Sequence, residues 1–160
     1  MVRHELSLFA DYHQFYIQDE AVKGDLSTAW TSDAMADYVA LAPGTVGVGT
    51  VRNTTVPVVV EVFDAPPPLS LAEWDHVVEC DLANGSGQLV VAGCTDYFPT
   101  ALRIPATAGN LRVRALFRGL GTLSDDGLEG DDRYHLQIWP APPAGKHVLK
   151  RDSTPPGRGV

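Results

Sequence analysis

Residues 111–118 constrain the fold of this chain more than any other stretch. Leu111, Val113, Ala115 and Phe117 fall on one side of an extended backbone, and Arg112, Arg114, Leu116 and Arg118 on the other. A period of two belongs to a β-strand with one buried and one wet face, the pattern of an antiparallel sheet. Residues 45–51, 56–63, 76–82, 88–93, 100–104 and 134–139 are further short runs rich in Val, Ile, Leu and aromatics. Turn residues separate the runs: Arg52-Asn53-Thr54, Ala65-Pro66-Pro67-Pro68, Asn84-Gly85-Ser86-Gly87 and Ala108-Gly109-Asn110. Leu6, Leu8, Tyr12, Phe15 and Ile17 mark one more extended segment, whose alternation breaks near Ala10-Asp11, as at a bulge or at a bend between two strands. About eight strands punctuated by turns, with no helix between successive pairs, predict a mainly β fold, a two-layer antiparallel β-sandwich. One short helix is expected over residues 31–40. Thr31 or Ser32 caps it, Asp33 suits its positive end, and Pro43-Gly44 stops it.

At 160 residues the chain is long enough to bury one core without a staple. Residues 1–145 are expected to form a single sandwich domain, and residues 146–160, rich in Pro and Gly, a flexible basic tail. The longest apolar stretch, Val56 to Val62, is broken by Pro57 and Glu61 and is far shorter than the roughly 20 residues of a membrane helix. No membrane span is expected, and the charged opening Met1-Val2-Arg3-His4-Glu5 lacks the apolar run of a signal peptide, which predicts a cytoplasmic protein. Cys80 and Cys94 fit neither a metal pair nor a disulfide framework; they read as two reduced thiols, able to pair only if neighbouring strands bring them together. The net charge of −8 divides into −11 on residues 1–145 and +3 on the tail. An acidic body repels phosphate backbones, so direct nucleic-acid binding is not expected, whereas a basic protein partner would be steered to it.

Reactive motifs are sparse. His13 beside Asp11 is the most enzyme-like pair, a base with a carboxylate to orient it, but no nucleophile motif accompanies it. The loop 124–132 carries Asp125, Asp126, Glu129, Asp131 and Asp132 with no base. Its spacing is not that of an EF-hand, and it reads as a solvated hairpin loop, as a surface for a basic partner, or as a set of calcium ligands. The remaining histidines have no zinc spacing, and no glycine motif marks a nucleotide site. No cofactor is therefore expected. Trp30, Trp74 and Trp139 either pack in the core or stack on a sugar, which keeps a module binding a small molecule or carbohydrate as the alternative function.

Glu5-Leu6-Ser7, then Tyr12-His13-Gln14-Phe15, Trp30-Thr31 with Asp33-Ala34, and Arg52-Asn53-Thr54 before an apolar strand resemble, in order and spacing, the competence protein J family. A weaker echo follows in Gly130-Asp131 and in Tyr134 to Trp139. The family's best-known member inhibits a DNA-entry nuclease. The resemblance implies a non-enzymatic protein that blocks a nuclease by occlusion, with Tyr12, His13, Gln14, Trp30, Arg52 and Asn53 as partner contacts or as packing residues; the acids of loop 124–132 join them as candidate contacts on their charge alone.

Overall fold

The computed structural model describes residues 1–152. A six-stranded sheet faces a five-stranded one. The first contains β1 (Val2–Phe9), β5 (Thr55–Val62), β10 (Arg133–Pro140), β9 (Gly109–Arg118), β6 (His76–Asn84) and β11 (His147–Lys150), in that spatial order. The second contains β3 (Val39–Ala42), β4 (Thr45–Gly49), β2 (Gln14–Asp19), β7 (Gln88–Gly93) and β8 (Leu102–Pro105). This is the expected sandwich. Its pairings are antiparallel except where β10, folding back from β9, lies parallel to β5 with Tyr134 opposite Val58.

Alternate residues of both sheets meet in the core: Phe15 and Ile17 from β2, Val46 and Val48 from β4, Val58 and Val60 from β5, Leu111, Val113, Ala115 and Phe117 from β9, and Leu136 and Ile138 from β10. Each large apolar side chain buried here contributes about 1.5–3 kcal/mol. The break at Ala10-Asp11 is where the chain leaves one sheet for the other, through a single 3-10 turn at Asp11–His13. The helix, α1 (Ser32–Asp37), is shorter than expected. Thr31 caps it, its Oγ1 accepting the Ala34 N–H, but it stops at Tyr38 in the left-handed conformation. Val39 and Ala40 open β3, and Pro43-Gly44 turns β3 into β4.

The outer face of β9 is covered at Arg112, Arg114 and Leu116 and stays open at Arg118. Arg112 and Arg114 are only 4% and 6% exposed. Arg114 Nε donates to Glu79 Oε2 at 2.9 Å, its Nη1 reaches Gln137 Oε1 and the Pro67 carbonyl, and its guanidinium lies 4.8 Å from the Trp139 ring centre. Arg112 pairs with Asp81 at 3.0 Å and donates to the Gly145 carbonyl. Two Pro-rich segments that look like connectors in the sequence, residues 63–75 and 141–146, thus strap this face. The Asp81 carboxylate accepts the N–H groups of Ala144 and Gly145. Beyond the second strap, within the segment expected to be a flexible tail, residues 147–150 form β11 on the edge of β6. Val148 packs on the core, and Lys146 and Arg151 reach Asp37 at 2.7 and 2.6 Å. Residues 153–160 of that tail lie outside the described residues.

Cys80, in β6, and Cys94, in the turn after β7, are both free thiols. Burial pushes the Cys80 thiol up to about 12, so it is an inert core residue.

His76 is fully buried against Tyr38 and Phe117, with ring centres 4.7 and 5.4 Å away. Its Nδ1 accepts the Asp152 N–H at 2.9 Å, so the neutral ring carries its proton on Nε2, 2.8 Å from the Asp37 carbonyl. Burial holds this imidazole below its ordinary value of 6.5, and burial does the same to His135 against Trp74. The folded chain therefore binds fewer protons than the unfolded chain just below that value. Stability is full above pH 6.5 and falls as the pH drops toward the folded-state values, by up to about 1.4 kcal/mol per pH unit for each ring. Urea unfolding at pH 7.5 and 5.5 measures the loss. In His76→Gln the loss is smaller.

Candidate partner-binding surface

Tyr12 and His13 have φ of 60° and 58°, a left-handed conformation that costs a non-glycine residue about 1–2 kcal/mol. The crossing between sheets holds them there. The Ala10 N–H donates to the Thr54 carbonyl and the Thr50 N–H to the His13 carbonyl, both at 2.9 Å. Asp11 Oδ1 accepts the Tyr12 N–H. His13 Nδ1 lies 3.2 Å from the Thr50 carbonyl, so this nitrogen is the donor. The outcome is an exposed Tyr12 ring, 67% accessible, on a fixed turn.

The loop after β4 sits directly beside this turn. Arg52 Nε lies 2.7 Å from Asp132 Oδ1, and the Asp132 side chain is buried. Asp132 Oδ2 accepts the Tyr134 hydroxyl at 2.6 Å, and the oxygen of that hydroxyl accepts the Val51 N–H at 2.9 Å. This chain of contacts ties the motif at Arg52-Asn53 to the acidic loop, two features that the sequence presents separately. Asn53 stays exposed.

Loop 124–132 is the hairpin between β9 and β10, ordered by its own short polar residues. Ser124 Oγ donates to Asp126 Oδ1 at 2.7 Å and accepts the Glu129 N–H, and Thr122 Oγ1 accepts the Asp131 N–H. Gly127 supplies the positive φ of the turn. The Ser124 hydroxyl and the Leu128 N–H hold the Asp126 carboxyl below its usual range. Asp125, Asp126, Glu129 and Asp131 are exposed. Among the described residues no three His, Cys, Asp or Glu side chains are grouped to hold a metal ion.

The structure thus gathers Tyr12, His13, Arg52, Asn53 and the acidic loop at one end of the sandwich, with Arg52 and Asp132 as the internal brace. Gln14 and Trp30 lie elsewhere. Trp30 Nε1 donates to Gln14 Oε1 at 2.8 Å on the outer face of the five-stranded sheet, where both line a cavity of about 540 Å³. Of the other two tryptophans, Trp139 is buried and Trp74 half-buried.

Compared with solved structures, the chain superposes on ComJ from Bacillus subtilis, an inhibitor of the DNA degrading activity of NucA, with a TM-score of 0.65 at 17% identity, covering 88% of this chain and 96% of that one. The chain has the ComJ fold. A second solved structure, the crocagin biosynthetic gene J product, gives a TM-score of 0.57 at 15% identity over 89% of this chain and all of that one. No family profile matches the sequence, and no curated protein matches it. The likeness covers both sheets, well beyond the first 60 or so residues on which the sequence resemblance rests.

Tyr134 was not singled out in the sequence, although a tyrosine on the core face of a strand needs a polar partner for its hydroxyl, and Asp132 two residues earlier supplies one. Tyr16, Gln18, Asp96 and Phe98, which line the cavity, were likewise missed. The signal was Gln14, Tyr16 and Gln18 at a spacing of two, a polar face on a strand whose other face is apolar.

No helix among the described residues is long and apolar enough to cross a membrane.

Proposed function

We propose that this protein is a non-enzymatic intracellular binding protein that inhibits a nuclease by occlusion, using the end of the sandwich that carries Tyr12. The observation that carries this reading is the Arg52–Asp132 brace, which presents an exposed aromatic on a fixed turn beside four exposed acids. The fold shared with ComJ supports the choice of target class. Nuclease clefts hold phosphate through basic side chains or metal ions, and clustered carboxylates meet the same groups. Tyr12 is the anchor, Asn53 and His13 flank it, and Asp125, Asp126, Glu129 and Asp131 steer the approach. Affinity capture from cells of the source organism should recover a DNA-degrading enzyme, and an equimolar amount of the protein should suppress its cleavage of DNA. Capture of no such enzyme, with cleavage unchanged by added protein, defeats the reading.

Within this proposal, Tyr12→Gly raises the inhibition constant about 30-fold or more, the loss of a central tyrosine worth about 2 kcal/mol. Its unfolding free energy stays within about 1 kcal/mol of the parent, because glycine takes the positive φ freely but loses more chain entropy on folding. Cleavage assays and urea unfolding on the same preparation separate the two effects. A combined Asp125→Ala, Asp126→Ala and Glu129→Ala variant slows association and flattens its salt dependence, with little change in dissociation rate.

A further inference from the structure

We infer that the cavity on the outer face of the five-stranded sheet binds an uncharged polyhydroxyl ring, a sugar. The site goes beyond the nuclease reading and does not depend on it. The strand register builds its floor: Tyr16 of β2, which lines the cavity between Gln14 and Gln18, stands between Gly47 of β4 and Ala92 of β7. One wall is the segment ending in Trp30. A side chain on Gly47 would sit 3.0 Å from the indole Cζ2 and 2.8 Å from Leu26 Cδ1, so glycine is what lets this wall close on the sheet. The opposite wall carries Phe98, covered by the Arg103 guanidinium at 4.9 Å. Arg103 also donates to the carbonyls of Phe98 and Ala101 and to Glu20, which fixes the wall in advance of a ligand.

The polar groups between the walls suit hydroxyls. Among the described residues no hydrogen bond engages the Gln14 Nε2 group, the Tyr16 hydroxyl or the Lys23 ammonium, which leaves donors. Asp96 accepts the Gly93 N–H on Oδ2 and keeps Oδ1 as an acceptor, and Gln18 donates its amide to the Asp19 and Val22 carbonyls, leaving its Oε1. Donors and acceptors on planar side chains, with one ammonium balanced by one carboxylate and aromatic rings on both walls, match a neutral ring with hydroxyls at its rim and C–H groups on its faces. At about 540 Å³ the cavity lies in the size range of small-molecule sites.

The test follows the indole N–H of Trp30 and the side-chain amides of Gln14 and Gln18 by NMR. Glucose, N-acetylglucosamine, ribose and cellobiose are each titrated to about 10 mM, a range that covers dissociation constants up to about 1 mM. At least one sugar should shift these signals to saturation, and Tyr16→Phe, which removes a single hydroxyl and keeps the ring, should weaken that binding about tenfold. Trp30→Leu should abolish it. Inhibition of DNA cleavage should be unaffected by Tyr16→Phe, so failure here and failure of the nuclease reading are scored apart. The inference is overturned if none of the sugars gives a saturable shift, if the shifts in Tyr16→Phe equal those of the parent, or if inorganic phosphate saturates the site in their place.

Discussion

Asp132→Ala lowers the free energy of unfolding by about 3–5 kcal/mol, the cost of removing one partner from a buried ion pair. The Arg52 side chain is 11% exposed and that of Asp132 1%, so the guanidinium left behind has little water to turn to. The same substitution strips the acceptor from the Tyr134 hydroxyl, a group buried so deeply beside Asp132 that it stays protonated at any ordinary pH. Urea unfolding reads the loss as a fall in midpoint at nearly constant slope. Asp132→Asn keeps an oxygen for Tyr134 and loses less. Asp125→Ala, on the exposed part of the same loop, changes stability by no more than about 0.5 kcal/mol. A loss for Asp132→Ala as small as that for Asp125→Ala would mean that the brace does not hold the end together. Under the proposed function, Asp132→Ala also weakens inhibition more than any single exposed acid does, because it releases the acidic loop from the turn bearing Tyr12.

The sandwich was legible because its signal is local. Alternation within Leu111 to Arg118 and in the runs around it comes from side chains facing opposite ways on successive residues, and the turn residues between runs have their own backbone preferences. β3 and β11 were not read from the sequence, for opposite reasons. Val39 to Ala42 follows a capped helix and has no polar alternation, since Val39 and Ala40 are both buried, so it looks like the continuation of α1. His147 to Lys150 is charged and flanked by prolines, and it becomes a strand through partners far away in sequence, Glu79, Val78 and Val77, with Lys146 just before it held on Asp37. The site divides in the same way. Tyr12, His13, Arg52 and Asn53 could be picked out as a group through resemblance, but the ion pair that joins Arg52 to Asp132 spans 80 positions, and no spacing rule encodes it. The cavity depends on Gly47 falling beside Tyr16, where Trp30 and Leu26 close on it, a matter of register between strands that are far apart in the chain.

Arg114→Ala is expected to lower stability by about 3 kcal/mol, although its alternation with Val113 and Ala115 places it on what the sequence suggests is a wet face. The guanidinium is the hub of the strapped face: it binds Glu79, Gln137 and the Pro67 carbonyl and lies against Trp139. Truncation leaves Gln137 and the Pro67 carbonyl without that donor beneath a strap that admits little water. Arg114→Lys keeps the charge but not the planar fork, so it should recover less than half of the loss. Arg118→Ala, four residues along the same face but exposed, should cost no more than about 0.5 kcal/mol. Hydrogen exchange adds a spatial readout, since the N–H groups of Glu73 and Trp74, bonded within the strap, should lose protection in Arg114→Ala before the core strands do. The same pairing bears on partner choice. Arg52, Arg112 and Arg114 are spent on Asp132, Asp81 and Glu79 inside the molecule, which takes three of the chain's bases off the surface. Under the proposed function, the charge that meets a partner is carried by the exposed Asp125, Asp126, Glu129 and Asp131.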